Sequence, residues 1–187
     1  MTVGCSIAWI GFALLLAAPA RAEGEALENA VRGFYSWVLA HPSISLPSAR
    51  QRVQLAKILS PELIQLLKEA SDMEARCVKA APKDEKPLIL EGNLFVGNLE
   101  GATEVAYRLP ASANAVVRVD ADLIYVDTRF PKGHKFRAVA WKDRLELHQA
   151  GARWLVQDIK FQNDRSLAGG LKEYLADGAH SCATPAR

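Results

Sequence analysis

Apolar residues recur every three or four positions through the first part of the chain and alternate with polar ones through the second. Leu27, Val31, Phe34 and Val38 share one face of a 3.6-residue period, so the spacing predicts an amphipathic helix over Glu25–Ala40, ended by His41-Pro42. Ser48–Leu59 is a shorter helical stretch with Val53, Ala56 and Leu59 on one side. Ser60-Pro61-Glu62 then opens a third helix: Ser60 can cap, Pro61 has the required φ and no N–H to leave unpaired, and Glu62 sits at the positive end of the helix dipole. Its apolar face, Leu63, Leu67, Ala70 and Cys77, runs to about Val78, and a polar, proline-bounded loop follows at Ala81–Pro87.

The second half reads as strands. In Ala115–Asp127, Val117, Val119, Ala121, Leu123 and Tyr125 point one way, and Arg118, Asp120 and Asp122 point the other. Lys135–Gln149 places Val139, Trp141, Leu145 and Leu147 on one face, and Ala150-Gly151 turns the chain into Arg153–Phe161, the second arm of a hairpin. Glu104–Leu109 is a further strand, and Leu167–Ala176 a short closing helix. Helices first, then strands joined by short turns, predict an α+β domain with the N-terminal helices packed on one face of a curved antiparallel sheet. A doubly wound parallel sheet would need helices between the strands, and none is predicted.

Between the halves lies Glu91-Gly-Asn-Leu-Phe-Val-Gly-Asn-Leu-Glu-Gly-Ala-Thr103, which mixes chain-breaking glycines with apolar Leu94, Phe95, Val96 and Leu99. It reads as a structural lid in which the apolar residues plug the core. Glu91 and Glu100 are then either acceptors that fix turns or the rim of a binding site. Asn93 joins them as a candidate binding residue.

The N-terminus changes the expected location. Ile7–Ala18 is an apolar run, broken by Pro19 and followed by the small-x-small pattern Ala20-Arg21-Ala22, which reads as a secretory leader cleaved after Ala22. The run is short for a membrane span, which needs about 20 apolar residues. Cys5 precedes the run instead of following it, which argues against a lipoprotein. The expectation is one domain, residues 23–187, exported to a periplasm. The chain has 23 Lys and Arg against 21 Asp and Glu, and a formal charge of +2. With basic residues scattered singly, nothing favours nucleic acid as a partner. In an oxidising compartment Cys77 and Cys182 read most simply as a disulfide, the alternative being two free thiols; no C-x-x-C redox motif exists.

Several of these residues also resemble a known family. Phe34-Tyr35-x-Trp37, the Ser60-Pro61-Glu62-Leu63 helix start, the long terminal hairpin and Trp154-x-Val156-x-Asp158-Ile159 resemble the nuclear-transport-factor-two-like (cystatin-like α+β) superfamily of cone-shaped domains. More closely, the mature chain resembles the YbjP/YqhG-like bacterial envelope family of unknown function. That likeness uses Phe34-Tyr35-x-Trp37, Pro87-Leu88 to Thr103 with Glu91-Gly92 and Glu100-Gly101-Ala102-Thr103, Trp141-x-Asp143, and Trp154 to Asp158. The resemblance implies a pocket between the sheet and the long helices, and superfamily enzymes use an Asp or His there as general base. Many relatives look like lipoproteins, from which this chain departs. Asn93 stands where many have aspartate, which weakens any metal or acid/base role at that position.

Candidate chemistry is sparse. Asp143, on the strand face of Trp141, and Asp158, on that of Trp154 and Val156, are the acids placed to point inward. Each is either a base with a pKa raised by apolar neighbours or a structural acid that pairs with Arg144 or Lys160 or tethers the Glu91–Thr103 loop. Tyr35 and Trp141 join Glu91, Asn93 and Glu100 as candidate ligand contacts, although Trp37, Trp141 and Trp154 equally suit a core between helix and sheet. His41, His134, His148 and His180 show no metal-ligand spacing, and Asp120-x-Asp122 suits a weak surface calcium site or a solvated face. No nucleophile or phosphate-loop motif appears, and no cofactor is implied. The favoured function is a periplasmic binding or accessory protein without catalysis, acting on an envelope protein or small ligand and able to pair with itself through the sheet face. The alternatives are a hydrolase or isomerase using an Asp base, and an immunity protein against a secreted toxin.

Overall fold

The computed structural model describes residues 18–42, 45–111, 114–162 and 165–182. The expected leader up to residue 17, with Cys5 and the apolar run as far as Ala17, lies outside the described residues. Helix α1 spans Ala18–Ala40 and crosses the expected cleavage point without a break. Pro19 falls in its first turn, where a missing N–H costs nothing.

Helix α2 (Ala49–Leu55) begins with a reciprocal cap, in which Ser48 Oγ accepts from Gln51 N and Gln51 Oε1 accepts from Ser48 N. It stops one turn before the helical spacing does, and Val53, expected inside, is 70% exposed. The sheet is the reason. Ile58–Ser60 leaves the helix to lie along the outer strand, with Val156 N donating to Ile58 O and Ser60 N to Val156 O. Pairing an otherwise bare strand edge outweighs one more turn of a short helix. Ser60 then caps α3 (Pro61–Ala80), accepting from Leu63 N, with Pro61 in the first turn as expected.

Strands β1 (Glu104–Tyr107), β2 (Val116–Val126), β3 (Ala138–Ala150) and β4 (Arg153–Lys160) form one antiparallel sheet in that order. β2 and β3 make a long hairpin from Val116↔His148 to Val126↔Ala138. Its outer face is a ladder of directly opposed ion pairs, Arg118–Glu146, Asp120–Arg144 and Asp122–Lys142. Each exposed pair contributes at most about 1 kcal/mol, but together they keep this face solvated. Val139, expected inside, is 48% exposed near the end of the hairpin.

The register of β3 and β4 slips between Glu146 and Leu147, which pair with Asp158 and Val156 and leave Gln157 as an extra residue. The bulge corrects one expectation. Trp154 and Val156 face the core, but the alternation resets, so Ile159 is the next core residue and Asp158 joins Glu146 on the other face.

Helix α4 spans Leu167–Ser181, a full turn beyond its expected end. Gly178 sits inside it because a Cβ there would lie 2.5 Å from Met73 Cγ of α3. The close crossing brings Cys77 and Cys182 together as a disulfide, Cα–Cα 4.8 Å, across 105 residues. By loop-closure entropy such a link is worth roughly 4–5 kcal/mol. The helices and the inner sheet face share one core, with Phe34, Leu67, Phe95, Leu123, Leu145 and Ile159 all at or near zero exposure. The fold is α+β, helices on one face of an antiparallel sheet, as the residue pattern predicts. Among the described residues no helix is long and apolar enough to cross a membrane.

Candidate functional site

The segment from Leu88 to Thr103 has neither helix nor strand, yet its polar groups are satisfied one by one. Asn93 is buried, its Nδ2 donating to Pro42 O at 2.8 Å and its Oδ1 accepting from Phe95 N at 2.8 Å. Its amide is therefore committed to holding the loop on the end of α1. Gly101 has φ +86, and an added Cβ would collide with the Pro42 carbonyl, so only glycine fits there. Phe95 is fully buried and meets Trp37 edge-on at 5.2 Å and Phe34 at 6.5 Å. The segment is a plug in the space between α1 and the sheet.

Beneath the plug lies a polar cluster. Asp143 is 4% exposed on the core face of β3; its Oδ2 accepts from Gly97 N at 2.8 Å and from Trp141 Nε1 at 3.0 Å. Its Oδ1 is buried with no partner, as are the Tyr35 hydroxyl and the indole N–H groups of Trp37 and Trp154. Burial raises the Asp143 pKa, and the bonds from Gly97 and Trp141 offset this only in part. Burial likewise raises that of the Tyr35 phenol, with the negative charge of Asp143 and the neighbouring Tyr107 adding to it. Gly97 closes this cluster tightly, for a Cβ there would lie 2.7 Å from Asp143 Oδ1. Asp143 thus tethers the loop through a backbone N–H.

Asp158 is structural in its contacts. Its Oδ1 accepts from Ile159 N and Ala168 N, and its Oδ2 from Lys160 Nζ at 2.7 Å. It fastens the first turn of α4 to β4. Burial would raise its pKa, but Lys160, Ala168, Ser166 and Ile159 together hold it below the usual carboxylate range.

The outer side of the plug forms one wall of an open groove. The other walls are α4 and Phe161 at the end of β4, and the volume is about 470 Å³. Leu88, Leu90, Leu94, Val96, Leu167 and Leu171 give it an apolar lining. Glu91, Glu173 and Asp177 place acids in it, with Arg165 as the basic residue. Leu99 belongs to the lining and is 70% exposed. Tyr174 joins the two walls, its hydroxyl donating to Leu88 O at 3.1 Å.

Of the residues expected to contact a ligand, Glu91 and Asn93 line this groove. Glu91 also pairs with the exposed Lys86, whereas Asn93 spends its amide on the loop. Glu100 is exposed outside the groove, and Tyr35 and Trp141 lie in the buried cluster behind the plug. The α4 wall was not foreseen, although Leu167, Leu171 and Tyr174 recur at helical spacing. The histidines are dispersed: His41 stacks on Trp37 at 4.3 Å, and His134 on Phe130 at 4.7 Å. Asp120 and Asp122 are each engaged by a cation across the strand pair. Among the described residues no three acids, histidines or cysteines cluster to hold a metal.

No family model matches the chain, and no curated protein is similar to it. Among solved structures, a phospholipid-binding protein from Ralstonia solanacearum, solved in complex with a phospholipid, is similar over 88% of each chain, at 14% identity and a TM-score of 0.32. A likeness this low carries no inference for the present chain.

Proposed function

We propose that this is an exported periplasmic binding or accessory protein without catalysis of its own, related to the YbjP/YqhG-like envelope proteins. Its groove between the Leu88–Leu99 segment and α4 takes a small ligand, or a partner's side chain, with an apolar body and a basic end. The observation that carries the reading is the open groove itself: an apolar floor, three acids against one arginine, and Leu99 left in solvent. A concavity with leucines on its walls and a few convergent charged groups is the usual form of a small-ligand site. The disulfide suits an oxidising compartment. Because the outer sheet face carries ion pairs, partner contact is assigned to the groove and not to that face.

Gly170 offers a clean test. It lines the groove on α4, and a Cβ there meets nothing within 4 Å, so Gly170→Leu starts from open space and directs its bulk into the groove. Replacing an interior helix glycine also favours the helix by up to about 1 kcal/mol. Titration with dansylcadaverine, a fluorescent aromatic body carrying a protonated amine at its end, should give saturable binding to the parent. Gly170→Leu should lose it at least tenfold with an unchanged or higher melting temperature. Equal binding by the two proteins removes the groove from the proposal.

A second reading rests on Asp143, an acid with a free buried oxygen and a raised pKa beside Tyr35. It makes the protein a hydrolase or isomerase whose plug opens to admit substrate. A small molecule that the parent hydrolyses, read as a change in mass, or isomerises, read by NMR at unchanged mass, and that Asp143→Asn leaves intact, would establish it.

A further inference from the structure

The β2–β3 hairpin ends in a second irregular segment, Asp127–Arg137, whose chemistry the groove does not use. β3 residues Ala138–Asp143 have no partner on β4, whose last pairing is Lys160 with Arg144. The hairpin therefore runs on for roughly 20 Å beyond the end of β4, and the loop is its tip. This is the same end of the sheet at which Phe161 enters the groove wall.

The loop is built to stay in one shape. Asp127 N donates to Arg137 O, His134 N to Pro131 O and Arg137 N to His134 O, and the Arg137 guanidinium donates to Phe130 O. The Asp127 carboxylate is held by the backbone and the guanidinium of Arg129, which consumes both charges. Phe130 stacks on His134, Phe136 is 59% exposed, and Lys135 Nζ lies 4.7 Å from the Phe136 ring centre. Lys132 and Lys135 are exposed with no acidic partner among the described residues, whereas the Arg137 charge acts on the Asp127 carboxylate. A tip with exposed aromatic surface and two unpaired lysines is thus displayed on a chain whose charge is otherwise nearly balanced.

We infer that this tip docks on an anionic bilayer surface, Phe136 entering the headgroup layer while Lys132 and Lys135 meet lipid phosphates. Aromatic rings with adjacent lysines suit that boundary, where one end of a side chain is apolar and the other wet. Juxtaposed basic residues are drawn to anionic headgroups. A bilayer, unlike a protein partner, needs no matching concavity to receive the tip of a hairpin.

Vesicle sedimentation tests this. The protein should bind vesicles of phosphatidylcholine with 30% phosphatidylglycerol, a composition set at roughly that level to give an anionic surface, and release them at high salt. Lys132→Ala/Lys135→Ala should weaken binding about thirtyfold, the effect of two headgroup-facing cations. A Phe136→Trp variant should shift its emission to the blue on the anionic vesicles only. The exported form proposed above, residues 23–187, is used throughout, so the apolar Ile7–Ala18 run cannot itself enter the vesicles. Equal binding to pure phosphatidylcholine, or no effect of the double variant, overturns the inference. So does retention on a soluble polyanion without vesicle binding, which would point to an anionic macromolecule instead. Unchanged melting temperatures ensure that lost binding is not lost folding.

Discussion

The Gly92–Gly101 plug and the Asp127–Arg137 tip are written in much the same residues: glycines at positive φ, aromatics, charges, and no regular structure. Yet Phe95 of the first is fully buried and Phe136 of the second is 59% exposed. The difference lies in where each loop finds its hydrogen-bond partners. The plug reaches across the chain, to Pro42 O from Asn93 and to Asp143 from Gly97. The tip closes on itself, through Asp127, Pro131, His134 and Arg137. An irregular segment bonded to distant elements becomes core, and one bonded internally is free to present its side chains.

The largest expected consequence is in the aromatics. Phe95→Ala should cost roughly 3–5 kcal/mol in denaturant unfolding, the loss of a buried ring and the cavity it leaves. Phe136→Ala should stay within about 0.5 kcal/mol, as surface changes usually do. Similar losses at both sites would mean that the two loops are not different in kind.

Next in size is a glycine pair that holds the backbone angle fixed and varies only the surroundings. Gly101 and Gly133 have φ +86 and +83. At Gly133 a Cβ meets open space, so Gly133→Ala should cost only the left-handed strain, roughly 1–2 kcal/mol. At Gly101 the Pro42 carbonyl stands in the way, so Gly101→Ala should cost roughly 3 kcal/mol or more. Equal melting temperatures for the two variants would dissociate the plug from the end of α1.

Much of this architecture was legible from residue spacing, and the failures share a cause. The alternation of Val117 to Leu123 and the Ser60-Pro61 start depend on neighbours in sequence, and both stand as read. The early end of α2 depends on β4 needing an edge partner at Ile58–Ser60. The reversal of Asp158 depends on a bulge at Gln157 that leaves no mark in the residue types. α4 outruns its apparent stop because Met73, a hundred residues away, leaves no room for a side chain at Gly178. The groove followed the same rule: Glu91 and Asn93 were visible as an odd segment, but its other wall comes from a distant helix. Lys132 and Lys135 look like singly scattered charge in sequence because Gly133 and His134 separate them, and it is the hairpin turn that places both at one tip.

The smallest expected effect concerns the acid beneath the plug, and it separates the two loops by their response to pH. Asp143 has a folded-state pKa raised above the ordinary aspartate range by burial. An acid of this kind binds its proton more tightly when folded, so it weakens the fold as pH rises from about 4, near the unfolded value, through its raised value. Asp158 and Asp127 have lowered values and act in the opposite sense, losing their stabilisation as pH falls. Asp143→Asn removes only the first contribution, and its amide oxygen can still accept from Gly97 N and Trp141 Nε1. The variant should match the parent near pH 3.5 and gain on it with rising pH, to a difference of about 1 kcal/mol at neutrality, the scale of a single hydrogen-bonded group. If the variant instead loses stability as pH rises, the unpartnered Oδ1 holds its negative charge against a donor within the core. The buried cluster would then be a site for a cationic or hydrogen-bond-donating group, and the plug would be the element that must open to admit it.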